Sequence, residues 1–290
     1  MAWLPGPRPE GRKWGCLVVV AALPWSPMNL LVTNDDGIDS PFLHALAAAL
    51  LAGGHSLYVA APLREQSWIG CAKSRLRPVA AAVAERDLGC HAWSIDGTPS
   101  DCVSIALAHL LPRDVRIDAV VSGINIGRNA SLGFILASGT IAGAWEGAVH
   151  GLPAIAFSQD LTPAQFEAFR ASGHRVDPAM QPTLAASAAH AARLVPALAG
   201  STPPRSFTVH NVNFPSPCGP GTPLRRTVPA QVIVPGLFGP AADDGTHRFI
   251  FKLGDDVSPA GELTDRAAIE NGFISHTVLD YGAIGRSGAS

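Results

Sequence analysis

The sequence predicts an α/β fold: a Rossmann-like, mostly parallel sheet with helices on both faces, followed by an irregular C-terminal extension. Three observations carry this. From residue 29 onward, short continuous apolar runs alternate with helix-length stretches of helical periodicity, the pattern of strands buried on both faces and joined by crossover helices. Apolar residues make up 47% of the 290-residue chain, enough for a sizeable core, which excludes disorder of the low-hydrophobicity kind. Charged residues reach only 15% while Gly and Pro number 29 and 25, well below the usual charged share of about 25%.

The elements follow in order. Asn29-Leu-Leu-Val-Thr33 is the first strand. Ser40-Pro41 supplies an N-cap and a first-turn proline, Leu43, Leu46, Leu50 and Leu51 recur at helical spacing, and Gly53-Gly54 ends the helix. Residues 57–61 form the next strand, which completes a right-handed βαβ unit. Residues 101–111 are expected as a helix, 118–122 as a strand, 138–149 as a helix and 153–157 as a strand. Within 138–149, Gly143 and Gly147 suggest close packing on a neighbour. Residues 159–182 read as looser, 183–199 as an Ala-rich helix and 207–214 as a strand. Residues 215–247, dense in Pro and Gly, read as long loops, and 273–279 as a last strand.

This divides the chain into a catalytic core over 28–200 and a C-terminal strand, loops and oligomerisation arm over 201–290. Residues 1–27 stand apart, with Arg8, Arg12 and Lys13 ahead of an apolar run from Trp14 to Leu23. The run is too short to span a bilayer. The segment is expected to be either a start placed upstream of a true Met28 or a signal-like segment. A net charge of −2 offers no field for nucleic acid and no polybasic membrane signal. Cys16, Cys71, Cys90, Cys102 and Cys218 are scattered, odd in number and never paired as Cys-x-x-Cys, which points to a reducing, cytoplasmic compartment.

Ligands of an open α/β sheet gather beyond the C-terminal strand ends. Three such ends carry polar residues: Asn34-Asp35-Asp36-Gly37, Arg64-Glu65-Gln66-Ser67 and Asn125-Ile-Gly-Arg-Asn129. Adjacent carboxylates raise each other's pKa unless a cation lies between them. Asp35 and Asp36, with Ser67 and Asn125, would make an all-oxygen site suited to one divalent cation such as Mg²⁺ or Mn²⁺. Asp-Gly is also among the commonest turn pairs, so the segment by itself reads equally as a turn. Ser138-Gly139-Thr140 opens a helix and offers either an anion site or ordinary capping.

Missing motifs narrow the class. There is no Gly-x-Gly-x-x-Gly after the first strand, no Walker A and no Gly-x-Ser-x-Gly elbow. The haloacid-dehalogenase mechanism needs a nucleophilic Asp where this chain has Asn34, and an amide cannot attack phosphorus.

Five segments together resemble the survival protein SurE family: Leu31-Val-Thr-Asn-Asp-Asp-Gly-Ile38, Ala61-Pro-Leu-Arg-Glu-Gln-Ser67, Gly97-Thr-Pro-Ser-Asp-Cys-Val103, Val121-Ser-Gly-Ile-Asn-Ile-Gly-Arg-Asn129 and Ser138-Gly-Thr140. They stand in that family's order, and the later Thr264-Asp-Arg-Ala-Ala-Ile-Glu-Asn-Gly-Phe-Ile-Ser275 is similar too. The resemblance implies a metal-dependent phosphatase acting on nucleoside 5′- and 3′-monophosphates and on short polyphosphate. It places metal ligands at Asp35, Asp36, Ser67 and Asn125. It also implies homodimers or homotetramers with an exchanged C-terminal segment. On this reading Asp35, Asp36 and Asn125 carry catalysis, while Asn129, Ser138, Gly139 and Thr140 hold phosphate. The chain departs from the family pattern at Trp68 (usually Gly), at Ala72 (Ser), and at Phe134-Ile135 and Ala137, where an acidic pair and a Tyr are usual. These departures motivate the alternative of a nucleotide- or metal-binding member with impaired turnover.

Overall fold

The apolar runs become one nine-stranded sheet in the computed structural model, which describes residues 26–285. The expectation about residues 1–27 therefore falls, up to residue 25, outside the described residues. The elements are β1 (Asn29–Thr33), α1 (Pro41–Ala52), β2 (Ser56–Pro62), β3 (Ala81–Val83), β4 (His91–Ile95), α2 (Pro99–Ile105, extended by a π-helical turn, Ala106–Leu110), β5 (Ala119–Ile126), α3 (Leu132–Ala137), α4 (Gly139–Val149), β6 (Ala154–Gln159), α5 (Pro163–Ala171), α6 (Gln181–Ser201), β7 (Thr208–Phe214), β8 (Leu224–Thr227), α7 (Asp265–Glu270) and β9 (Ile274–Asp280).

The sheet order is β3-β4-β2-β1-β5-β6-β7-β9-β8. The six strands from β4 to β7 run parallel, β3 joins antiparallel at one end, and β9 pairs antiparallel with β7 at the other. Side-chain alternation along the strands feeds two cores. Leu30, Val32, Val59, Val121 and Phe157 pack with the apolar sides of α1 and α6, while Leu31, Ala60 and Val120 pack with α2 on the opposite face. Helix α4 lies on that same opposite face, against α2, β5 and β6.

The structure departs from the sequence reading in places. Strands β3 and β4 were not expected, because β3 is wholly exposed and β4 carries no continuous apolar run. The strand expected over 118–122 runs on to Ile126, and the looser segment 159–182 contains α5, opened by a Thr162–Gln165 capping box. Part of 215–247 is ordered as well. Backbone bonds from Val257 to Gln231, Ile233 to Asp255, Gly239 to Arg248 and Ile250 to Leu237 build an antiparallel ribbon over 231–257. The last strand belongs to its own chain's sheet. There it is tied to β7 by buried His210 Nδ1 and His276 Nε2, 2.9 Å apart, and burial lowers both imidazole pKa values, to about 4 and about 3.

Helix α4 approaches the sheet through Gly139, Gly143 and Gly147, one every four residues and so on one face. A Cβ on Gly147 would lie 2.5 Å from Val120 Cβ, and one on Gly143 would lie 2.8 Å from Thr33 Cγ2. Gly133 in α3, by contrast, faces open space. Gly147→Ala is expected to lower stability by about 1–3 kcal/mol through overpacking. Gly133→Ala should be neutral or raise it by up to about 1 kcal/mol. Urea unfolding of both variants checks the pair.

Candidate functional site

Strand order reverses between β1 and β5: the chain leaves β1 toward β2 on one side and continues through β5, β6 and β7 on the other. That switch point leaves a crevice beyond the strand ends, and the Asp35-Asp36 pair sits in it. Next door, β5 carries a bulge. Ser122 pairs with Ala156 and Asn125 with Ser158, so three steps on β5 match two on β6. Gly123 makes this possible, with φ at +129° and no room for a Cβ beside the Phe157 carbonyl. The bulge re-aims Asn125 and brings the Ile126 N–H to Asp36, where it donates to Oδ2 at 3.0 Å.

Asp35 is held from three directions. Its carbonyl accepts from Gln66 N–H at 2.7 Å. Its Oδ1 accepts from the Thr140 hydroxyl at 2.7 Å. Gly139 packs against it so closely that an added Cβ would lie 2.8 Å from Asp35 Cβ and 2.9 Å from both Asp35 Oδ2 and the Gln66 carbonyl. The close-packed glycine face of α4 thus sets the head of that helix directly on the carboxylate.

Burial pushes the Asp35 pKa up to about 6, helped by the nearby Glu65 charge and opposed by the Thr140 bond. Asp36 is raised well above the usual carboxylate range, first by burial and then by the charge on Asp35. Among the described residues neither carboxylate is paired with a lysine, arginine or histidine. Nor do three or more His, Cys, Asp or Glu side chains converge on a metal-sized site there. A cation here would be held by two carboxylates and neutral oxygens. Asn125 Nδ2 donates to the Gly127 carbonyl at 2.7 Å, which fixes the amide and leaves Oδ1 without a protein donor among the described residues. Ser67 is exposed, follows directly on Gln66, and its N–H is bonded to Glu65 Oε1 at 2.7 Å. All four are hard oxygen donors that fit Mg²⁺ or Mn²⁺.

The expected phosphate-binding positions divide. Gly139 and Thr140 lie against Asp35, but the Thr140 hydroxyl is committed to that carboxylate. The Ser138 hydroxyl caps α4 by accepting from Ile141 N–H at 3.1 Å. Asn129 is buried in an amide network: its N–H donates to Asn213 Oδ1 (2.8 Å), its Nδ2 donates to Ser158 Oγ (2.9 Å), and its carbonyl accepts from Asn211 Nδ2 (2.8 Å).

Several supporting residues escaped the sequence reading. Asn211 and Asn213 anchor the Asn129 loop to β7, and two polar residues at period two in a buried strand were the available signal. Asp265 Oδ2 accepts from Ser131 N–H and its Oδ1 from Ala230 N–H, each at 2.9 Å. Asp101 completes a capping box with Thr98 and also accepts from Ser74 N–H, while Lys73 Nζ reaches Glu146 of α4 at 2.5 Å. These bonds secure the loop that carries Ser67.

A model of the family described as survival protein SurE matches residues 30–231. The chain is 34% identical over 259 residues to the 5′-nucleotidase SurE of Nitratidesulfovibrio vulgaris, covering 88% of this chain and 87% of that protein. It is 42% identical over 153 residues to the 5′-nucleotidase SurE of Desulforudis audaxviator, covering 52% and 58%. With several such curated relatives it therefore shares little more than half of their length. The crystal structure of the SurE protein from Aquifex aeolicus superposes with a TM-score of 0.64 at 27% identity, covering 87% of this chain and 93% of that one.

The raised Asp35 pKa makes a signed prediction for metal-free protein. A carboxyl raised from 3.8 to about 6 contributes stability that is present below the unfolded value and lost as pH rises through the folded one. The parent should therefore lose more stability than Asp35→Asn as pH rises from 4 to 7. Denaturant unfolding in chelator, parent against variant, measures this difference.

Proposed function

The chain belongs to the survival protein SurE family, and from that premise we propose that it is a divalent-metal-dependent phosphomonoesterase that hydrolyses nucleoside 5′- and 3′-monophosphates and short polyphosphate. The observation that carries this reading is the Asp35-Asp36 pair, Asp35 buried and Asp36 half-buried, unmatched by any basic side chain among the described residues, with Asp35 at the head of α4. A site of this kind gains from a cation, and a cation beside a helix N-terminus draws phosphate.

One divalent cation per chain would be held by Asp35, Asp36, Ser67 and Asn125. When bound, it supplies Lewis acidity toward a phosphoryl oxygen and lowers the pKa of a water molecule. The protein's own groups do the rest. Thr140 donates to Asp35 Oδ1, and Gly139 packs against the other oxygen. The Ile126 N–H holds one oxygen of Asp36. With the Ser138 and Thr140 hydroxyls committed, the backbone N–H of Gly139 is the donor that this segment offers a phosphate oxygen. Asn129 holds the 127–131 loop at the rim of the crevice. A raised carboxyl in this pair is suited to accept a proton from attacking water near neutral pH.

Family membership supports a homodimer or homotetramer as the working assembly. Four free cysteines among the described residues support the cytoplasm as its compartment. No helix among the described residues is long and apolar enough to cross a membrane.

Phosphate release from AMP, 3′-AMP and tripolyphosphate, with and without chelator, tests the reading. Activity should require a divalent cation. Asp35→Asn should lower it by about two orders of magnitude or more while leaving the circular dichroism spectrum unchanged. Turnover indifferent to both chelator and that substitution would overturn the assignment.

A further inference from the structure

We propose that Trp68, Phe134, Phe249 and Phe251 form the subsite that takes the base of a nucleoside monophosphate. The inference rests on the preceding reading and names how that site selects its substrate. The four rings come from three separate segments: the loop after β2, helix α3, and the 231–257 ribbon. Trp68 lies 5.5 Å edge-on to Phe134, 4.9 Å from Phe249 and 6.3 Å from Phe251, and Phe134 lies 5.5 Å from Phe251.

Position ties this cluster to the crevice. Trp68 is the residue after Ser67. Two residues further on, the Gly70 N–H donates to the Ala137 carbonyl at 2.9 Å, which fastens the loop to the end of α3 immediately before Ser138. The rings therefore stand at the rim of the Asp35-Asp36 site, one short segment away from it on each side.

Their conformation and exposure do not fit a core. Trp68 is 41% exposed, Phe249 45% and Phe251 63%, and Trp68 holds φ at +61°, in the left-handed region that is unfavourable for a bulky side chain. A strained, wet tryptophan at the edge of a polar crevice points to a ligand. The cluster offers aromatic rings and no charged group of its own, so it does not suit phosphate. A flat aromatic heterocycle suits it, because stacking on such rings needs no particular hydrogen-bond pattern and holds a base about tenfold or more tighter. A nucleoside monophosphate carries such a ring one sugar away from its phosphate. The competing occupant of an exposed aromatic patch, a second copy of this chain, is separated by the test.

The test compares kcat/KM for AMP with kcat/KM for ribose 5-phosphate, two substrates that share the phosphate and the sugar. The parent should prefer AMP by about tenfold or more. Trp68→Gly, which removes the ring and suits the left-handed backbone, and Phe251→Ala, on a different segment, should each reduce that preference by at least about fivefold, chiefly through KM for AMP. Equilibrium binding of adenosine should weaken in parallel. A parent without preference, or variants that keep it, overturns the proposal while leaving the phosphatase reading standing. If the parent hydrolyses neither substrate, the phosphatase reading fails, and adenosine binding that depends on Trp68 still decides the subsite. Variants that change the particle mass by light scattering and leave both the preference and adenosine binding intact assign the rings to self-association and overturn the proposal.

Discussion

Two neighbouring carboxylates buried at the strand-order switch are the constraint around which the rest of the molecule is arranged. Left to themselves, burial and mutual repulsion favour their protonated forms. The Glu65 charge adds to that tendency, while the Thr140 hydroxyl and Ile126 N–H oppose it by bonding to them as carboxylates, and the Gln66 N–H fixes the backbone between them and the Ser67 loop. The cost of ionising the pair is one that a bound cation would offset.

Much of this was legible in the sequence, and for definite reasons. Strands buried on both faces appear as unbroken apolar runs, so β1, β2, β5, β6 and β7 could be read with small errors at their ends. The Asp35-Asp36 pair was visible because two charges at the end of an apolar run have few uses. Edge strands gave no such mark: β3 is solvent-exposed throughout. The ribbon over 231–257 hid behind its Pro and Gly, since its pairing is sparse. Within the site, sequence could name Ser138 and Thr140 but could not show that their hydroxyls are already spent on Ile141 and Asp35. That depends on how close α4 comes to the sheet, which its three glycines allow but do not announce.

The departures from the family pattern acquire a common meaning in three dimensions. Trp68 and Phe134, far apart in sequence, meet as rings, and the ribbon supplies Phe249 and Phe251 to the same cluster. Asp35, Asp36, Ser67 and Asn125, which the resemblance implies as metal ligands, carry the residue types it expects. Of the remaining departures, Ile135 instead packs into a buried cluster with Ile141 and Ala144.

Asp265 has a consequence for how the protein comes into being. Its two oxygens hold the backbone of Ser131 and of Ala230, so the loop that follows Asn129 receives its last anchor from a residue near the C-terminus. A chain emerging from the ribosome in order can assemble the parallel strands early, since domains fold as units during synthesis. It cannot fasten that loop until the chain as far as Asp265 has been made. The nascent protein therefore carries an incomplete crevice well after its parallel strands have been made, until Asp265 arrives to close it.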